Sequence, residues 1–128
     1  MAGSDQLTVA ALIWVIGTLQ SQLESLDAVV LPATLEGNEH VWHLYVVRVP
    51  ERDRVLATLN ERGIGASIHY PRPLHRTGTF RHLGYGDGDF PVAETAAREI
   101  LSLPLSPGIT AEQQERVATE LRRAIEGG

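Results

Sequence analysis

The sequence contains no lysine, and all eleven of its Lys/Arg cations are arginine. Lysine can lose its proton and form a Schiff base, whereas arginine keeps its proton and is a poor nucleophile. Covalent chemistry through a side-chain amine is therefore excluded for these 128 residues. There is no cysteine either, which excludes disulfides and thiolate metal ligation and leaves the redox compartment open. Net charge is −5, from 16 acids against 11 arginines. No basic surplus exists to neutralise a phosphate backbone, so nucleic acid is not an expected partner. The start, Met1 to Gln6, has no basic residue that could form a secretory n-region, and a cytoplasmic protein is expected. The apolar run Val9–Ile16 is shorter than the roughly 20 residues a membrane span needs. It also lacks the flanking Lys/Arg that favours anionic lipid, so no membrane partner is expected.

What is present fits one globular domain. The chain is 43% hydrophobic and 21% charged, long enough to bury a stable core without staples. Residues 1–26 read as an apolar amphipathic helix with Ser4 or Asp5 as its cap. Val9, Leu12, Ile16, Leu19, Leu23 and Leu26 recur at steps of 3 or 4, a stripe along one helical face. Such a stripe packs on its own domain or on a second copy, and a homodimer through residues 7–26 is one expected use.

Residues 27–128 alternate strand-like and helix-like segments. His40–Val49 is rich in aromatic and β-branched residues and predicts a strand closed by Pro50. Glu51–Arg62 predicts a helix, with Gly63 at C′. Ile64–Tyr70 predicts a second strand, its spacing from the first permitting a parallel crossover. Asp89 is expected to cap a helix from Pro91, with Val92, Ala96 and Ile100 inward. Glu99–Leu105 predicts a third strand cut by Pro104. Thr110 and Gln113 form a capping box for the last helix. The order predicts an α/β two-layer sandwich, a small three-stranded sheet with helices on one face and the extra N-terminal helix beside it.

The densest chemistry is Ile68-His69-Tyr70-Pro71-Arg72-Pro73-Leu74-His75-Arg76. Histidine titrates near neutrality and can move a proton or bind an anion. Arg72 and Arg76 can hold a phosphate or carboxylate with a planar fork. A polar loop with satisfied histidines carries the same residues, and the pattern alone leaves both readings open. No metal site is expected: His40 and His43 would point to opposite faces of a strand, and His69, His75 and His82 have no ligating spacing. Gly84, Gly86 and Gly88 resemble a phosphate-binding loop only superficially, since no lysine and no long helix follow.

Four stretches taken in order are specific: HVWHLYVVRV, ERDRVLATLNERGI, GASIHYPRPLHRTGTF and GDFPVAETAAREILSLPLSPGITAEQQERV. They resemble the C-terminal small domain of DegT/StrS-type sugar aminotransferases, from about Leu26 to Ile125. The resemblance implies a fold-type I enzyme dependent on pyridoxal phosphate (PLP), usually a homodimer. Such an enzyme moves an amino group from glutamate or glutamine to a keto-sugar nucleotide in amino-sugar or natural-product biosynthesis. It implies that PLP and its lysine belong to a large N-terminal domain, so no cofactor-binding and no catalytic residue is expected here. It also implies that His69, Tyr70 and His75 face the substrate side of the cleft, His75 above all; Arg72 and Arg76 join them as candidate substrate-binding residues on their own chemistry. Residues 1–22 do not resemble the family, and the start at Met1 is read as a truncated or frame-shifted gene or an isolated domain. The chain is then catalytically incomplete alone and needs a large PLP-binding domain or subunit. A non-catalytic nucleotide-sugar-binding or dimerisation module, and a PLP-free enzyme using the His69/His75 loop, stay open beside it.

Overall fold

A computed structural model describes the backbone of residues 3–127 and the side chains of residues 10–127. The expected cap at Ser4 or Asp5 and the first stripe position, Val9, lie outside the described side chains. The chain forms α1 (Gly3–Leu23), β1 (Tyr45–Arg48), α2 (Arg52–Glu61), α3 (Pro91–Glu99), β2 (Ile100–Leu103) and α4 (Ala111–Glu126). Short 3-10 helices cover Leu74–Arg76 and Gly78–Leu83. Among the described residues, no helix is long and apolar enough to cross a membrane.

The sheet is smaller than expected. β1 and β2 form an antiparallel two-stranded sheet, with Tyr45 opposite Leu103 and Val47 opposite Leu101. The second strand, expected over 64–70, is reduced to one bridge between Ser67 and Ser102. The reason is local. The Ile64 N–H returns to the Leu59 carbonyl at 2.9 Å and the Ala66 N–H to the Ile64 carbonyl at 2.7 Å. Pro71 and Pro73 then have no N–H to offer a neighbour. Because β1 and Ser67 both run antiparallel to β2, they are parallel to each other with β2 between them. A second bridge, Val30 to Arg48, flanks β1 on its other side.

The first strand also starts later than His40. The His40 ring accepts the Trp42 N–H at 2.9 Å and stacks on the Trp42 indole, centroids 3.9 Å apart. Trp42 is held at φ 47°, so its backbone cannot extend a strand. The face argument for His40 and His43 therefore does not apply, since neither lies on a strand.

Helix ends follow local chemistry closely. The Thr110 hydroxyl accepts the Gln113 N–H at 3.2 Å, and the Gln113 side chain accepts the Thr110 N–H at 2.9 Å. Gly63 takes φ 75°, and the Gly63 and Ile64 N–H groups close back on the Asn60 and Leu59 carbonyls. That is a Schellman ending, which a side chain at φ > 0 would strain. The start of α3 differs from expectation. Phe90 occupies the cap position without a side-chain bond, and Asp89 instead accepts the Gly86 N–H at 2.7 Å. Val92, expected inward, is exposed, and Ala97 is the buried residue of α3, while Ala96 is half-buried.

One core joins these elements. Tyr45 and Val47 of β1 share a sheet face with Leu101 and Leu103 of β2. Against that face pack Val55 and Leu59 of α2 and Val117, Leu121 and Ala124 of α4. Ile16, Leu19 and Leu23 of α1 complete the cluster, with α1 lying on α4. The stripe is thus used inside the chain from Ile16 onward. Ile13 and Trp14 lie outside this contact and are exposed.

Candidate functional site

The loop that carries the chemistry leaves the sheet at Ser67. There the backbone makes two bonds with Ser102, at 3.1 and 2.8 Å. His69 follows, and its Nδ1 lies 2.8 Å from the Ser102 hydroxyl. A hydroxyl both donates and accepts, so it can serve either ring tautomer. Ser102 is itself buried, so this contact pins the His69 ring against β2. Tyr70 sets its ring edge-on to His69 at 5.7 Å and is 74% exposed. The prolines at 71 and 73 carry the chain outward to the turn at Leu74–Arg76.

His75 is turned inward. Its side chain is only 8% exposed; Nε2 lies 3.2 Å from Glu94 Oε1, and the ring sits 4.7 Å from Phe90. Glu94 also accepts the Gly88 N–H at 2.9 Å and the Phe90 N–H at 3.3 Å. One carboxylate therefore ties the histidine loop to the glycine-rich turn. This also explains why Gly84, Gly86 and Gly88 form no phosphate cradle: Asp89 takes the Gly86 N–H and Glu94 the Gly88 N–H.

The Gly88 N–H is the largest influence on Glu94 and holds its carboxyl below the ordinary 4.5. Desolvation opposes the shift, while the Phe90 N–H and His75 add to it. A carboxyl depressed in the folded state contributes stability that is present above pH 4.5 and is lost as pH falls through the lower native value. Glu94→Gln is expected to flatten the acid limb of the stability curve below pH 4.5. It is also expected to speed hydrogen exchange at Gly88 and Phe90. An acid limb like that of the unaltered chain would show that this carboxylate does not hold the turn.

Arg72 and Arg76 diverge from the histidines. Both line a hollow of about 300 Å³ together with Asp87, Glu94 and Arg98. Arg76 Nε pairs with Asp87 at 3.0 Å. His75 lines a separate, apolar hollow of about 330 Å³ with Leu74, Phe80, Leu83, Tyr85 and Phe90. The five residues singled out from sequence therefore divide. Tyr70 faces out, His69 and His75 are held by inward partners, and the two arginines share one hollow. Sequence reasoning missed Ser102, Glu94, Asp87 and Arg98. Ser102 has a legible signal, a lone polar residue inside the apolar strand ILSL. Glu94 has another, an acid in the first turn of a helix that follows a glycine-rich turn.

Residues 9–122 match the DegT/DnrJ/EryC1/StrS aminotransferase family. The chain belongs to this family. It is 45% identical over 95 residues to a "Pleiotropic regulatory protein" of Geobacillus stearothermophilus, covering 74% of this chain and 26% of that protein. It is 40% identical over 108 residues to a dTDP-3-amino-3,4,6-trideoxy-alpha-D-glucose transaminase of Micromonospora megalomicea subsp. nigra, covering 84% and 29%. Among solved structures, DesV of S. venezuelae, in complex with a ketimine intermediate, superposes with a TM-score of 0.88 at 33% identity. That superposition covers 93% of this chain and 32% of DesV. The chain thus spans between a quarter and a third of the length of these relatives. The family match starts at residue 9, inside α1, so residues 9–22, expected to fall outside the likeness, lie within it. The stripe explains it: Ile16, Leu19 and Leu23 meet a packing demand of the fold rather than a motif.

Family enzymes are PLP-dependent. The donors present in this chain do not fit a covalent PLP site, because no lysine exists to bond the cofactor aldehyde. Its arginines can bind an anion but cannot form that bond.

Proposed function

We propose that this chain is the C-terminal domain of a PLP-dependent nucleotide-sugar aminotransferase and that it acts with a large PLP-binding domain or subunit. That partner supplies the lysine this chain lacks, and the assembly works as a cytoplasmic dimer on a nucleotide sugar. The observation that carries the reading is the pinned loop. His69 is held on Ser102 and His75 on Glu94, and between those anchors Tyr70 stands out to solvent. A side chain presented from a fixed backbone is what a binding surface needs, because little ordering entropy remains to oppose binding. Tyrosine offers a ring face for a base or sugar and a hydroxyl for a polar group. The relatives named as dTDP-amino-sugar transaminases support a substrate of that class.

The test is a chemical-shift titration of the full chain with a dTDP-linked amino sugar. Shifts centred on residues 69–76 are expected, with affinity weakened about tenfold in Tyr70→Ala, the loss of one good contact. Shifts spread evenly over the surface, or none at that loop, would overturn the reading. PLP added to the same sample is expected to give no lysine Schiff-base absorbance.

A further inference from the structure

We propose that Arg72, Arg76 and Arg98 form a binding site for a phosphate or diphosphate group, with Arg98 the member that lies outside the His69–Arg76 cluster. This rests on the reading of the chain as a nucleotide-sugar domain, and it assigns the charged part of that substrate a place.

The three arginines come from two parts of the fold. Arg72 and Arg76 flank the turn after Pro71 and Pro73, and Arg98 lies in the last turn of α3. All three line the same hollow of about 300 Å³, a volume suited to one or two phosphoryl groups. Its acidic lining is already engaged. Asp87 pairs with Arg76, and the Glu94 oxygens accept bonds from Gly88, Phe90 and His75. Glu94 is four residues before Arg98, the spacing of a helical ion pair, yet no such pair forms. Among the described residues, Arg72 and Arg98 have no carboxylate partner. Among the described residues Arg98 makes one side-chain bond, to the Thr95 hydroxyl at 3.1 Å, which uses one of its five guanidinium donors.

In a chain of net charge −5, a hollow with three arginines and two engaged acids is a local positive site. Guanidinium donors match phosphoryl oxygens as planar forks, and two forks from different elements fix an anion in orientation as well as place. The site is open to water, so each contact is modest and salt-sensitive. Diphosphate, with more charge and two phosphoryl groups, is expected to bind better than phosphate.

Inorganic diphosphate is titrated into the full chain while the arginine Nε–H signals and the amides of 71–76 and 96–99 are followed. Saturable shifts at both segments are expected, with affinity weakened at least tenfold in Arg98→Gln and in Arg72→Gln. Arg122→Gln, in a separate hollow between α1 and α4, is expected to leave diphosphate affinity unchanged. Shifts in only one segment, or equal affinity for Arg98→Gln and the unaltered chain, overturn the site. If the sugar nucleotide binds at Tyr70 while diphosphate gives no saturation, the proposed function stands and this site falls. If diphosphate saturates but a sugar nucleotide binds no better, the site stands and the proposed function falls.

Discussion

Replacing Leu19 by alanine is expected to destabilise the chain by about 2–5 kcal/mol, read as a lower urea midpoint at unchanged slope. Leu19 is 1% exposed and lies between α1 and α4 within the single core. Removing its branched end forfeits the transfer energy of the lost carbons and leaves a cavity that two packed helices cannot fully close. Trp14, five residues earlier and exposed, provides the contrast. Trp14→Ala is expected to change stability by no more than about 0.5 kcal/mol, as a surface substitution does. Equal losses at the two positions would mean that α1 is not anchored through its Ile16–Leu23 face. The pair also separates the two uses that the stripe allowed. A loss at Leu19 that is independent of protein concentration belongs to the chain's own core, whereas a dimer contact would make stability rise with concentration.

Raising the pH from 10 to 12 is expected to remove about 2–3 kcal/mol of stability through one residue, Tyr45. Its ring is fully buried, and among the described residues its hydroxyl has no hydrogen-bond partner. Burial, followed by the nearby Glu24 carboxylate, pushes its pKa up from 10.0 to about 12. A group whose folded pKa is raised contributes stability that is present below pH 10 and is lost as pH rises to 12. Tyr45→Phe is expected to abolish that alkaline loss. At pH 7 it should be neutral or raise stability by about 1 kcal/mol, because it removes a buried hydroxyl left unsatisfied. Urea unfolding of both proteins at pH 7, 10 and 11.5 checks this. An alkaline loss of equal size in Tyr45→Phe would place the titrating group elsewhere.

Much of the local structure was legible in the residues. The Thr110/Gln113 box and the Gly63 ending involve partners within a few positions of each other, so their spacing in sequence is also their spacing in space. The strands were legible only as centres. Tyr45–Arg48 lies within the expected 40–49, but its start depends on a ring-to-backbone bond at His40 that no periodicity encodes. The 64–70 segment has strand-like residues, yet the Ile64 and Ala66 N–H groups turn back locally and leave one bridge.

The candidate site divides in the same way. The cluster of histidine, tyrosine and arginine over 69–76 is contiguous, so sequence alone located it. What each member does depends on residues far along the chain. His69 meets Ser102, His75 meets Glu94, and Arg72 shares a hollow with Arg98. By itself, the sequence determined what this chain can bond. With arginine as its only basic chain besides histidine, it can grip an anion but cannot carry PLP covalently. The tertiary structure decided which groups are free to act. It turned two histidines inward and left Tyr70, Arg72 and Arg98 outward, because burial and hydrogen-bond partnership are set by contacts between segments that lie apart in the chain.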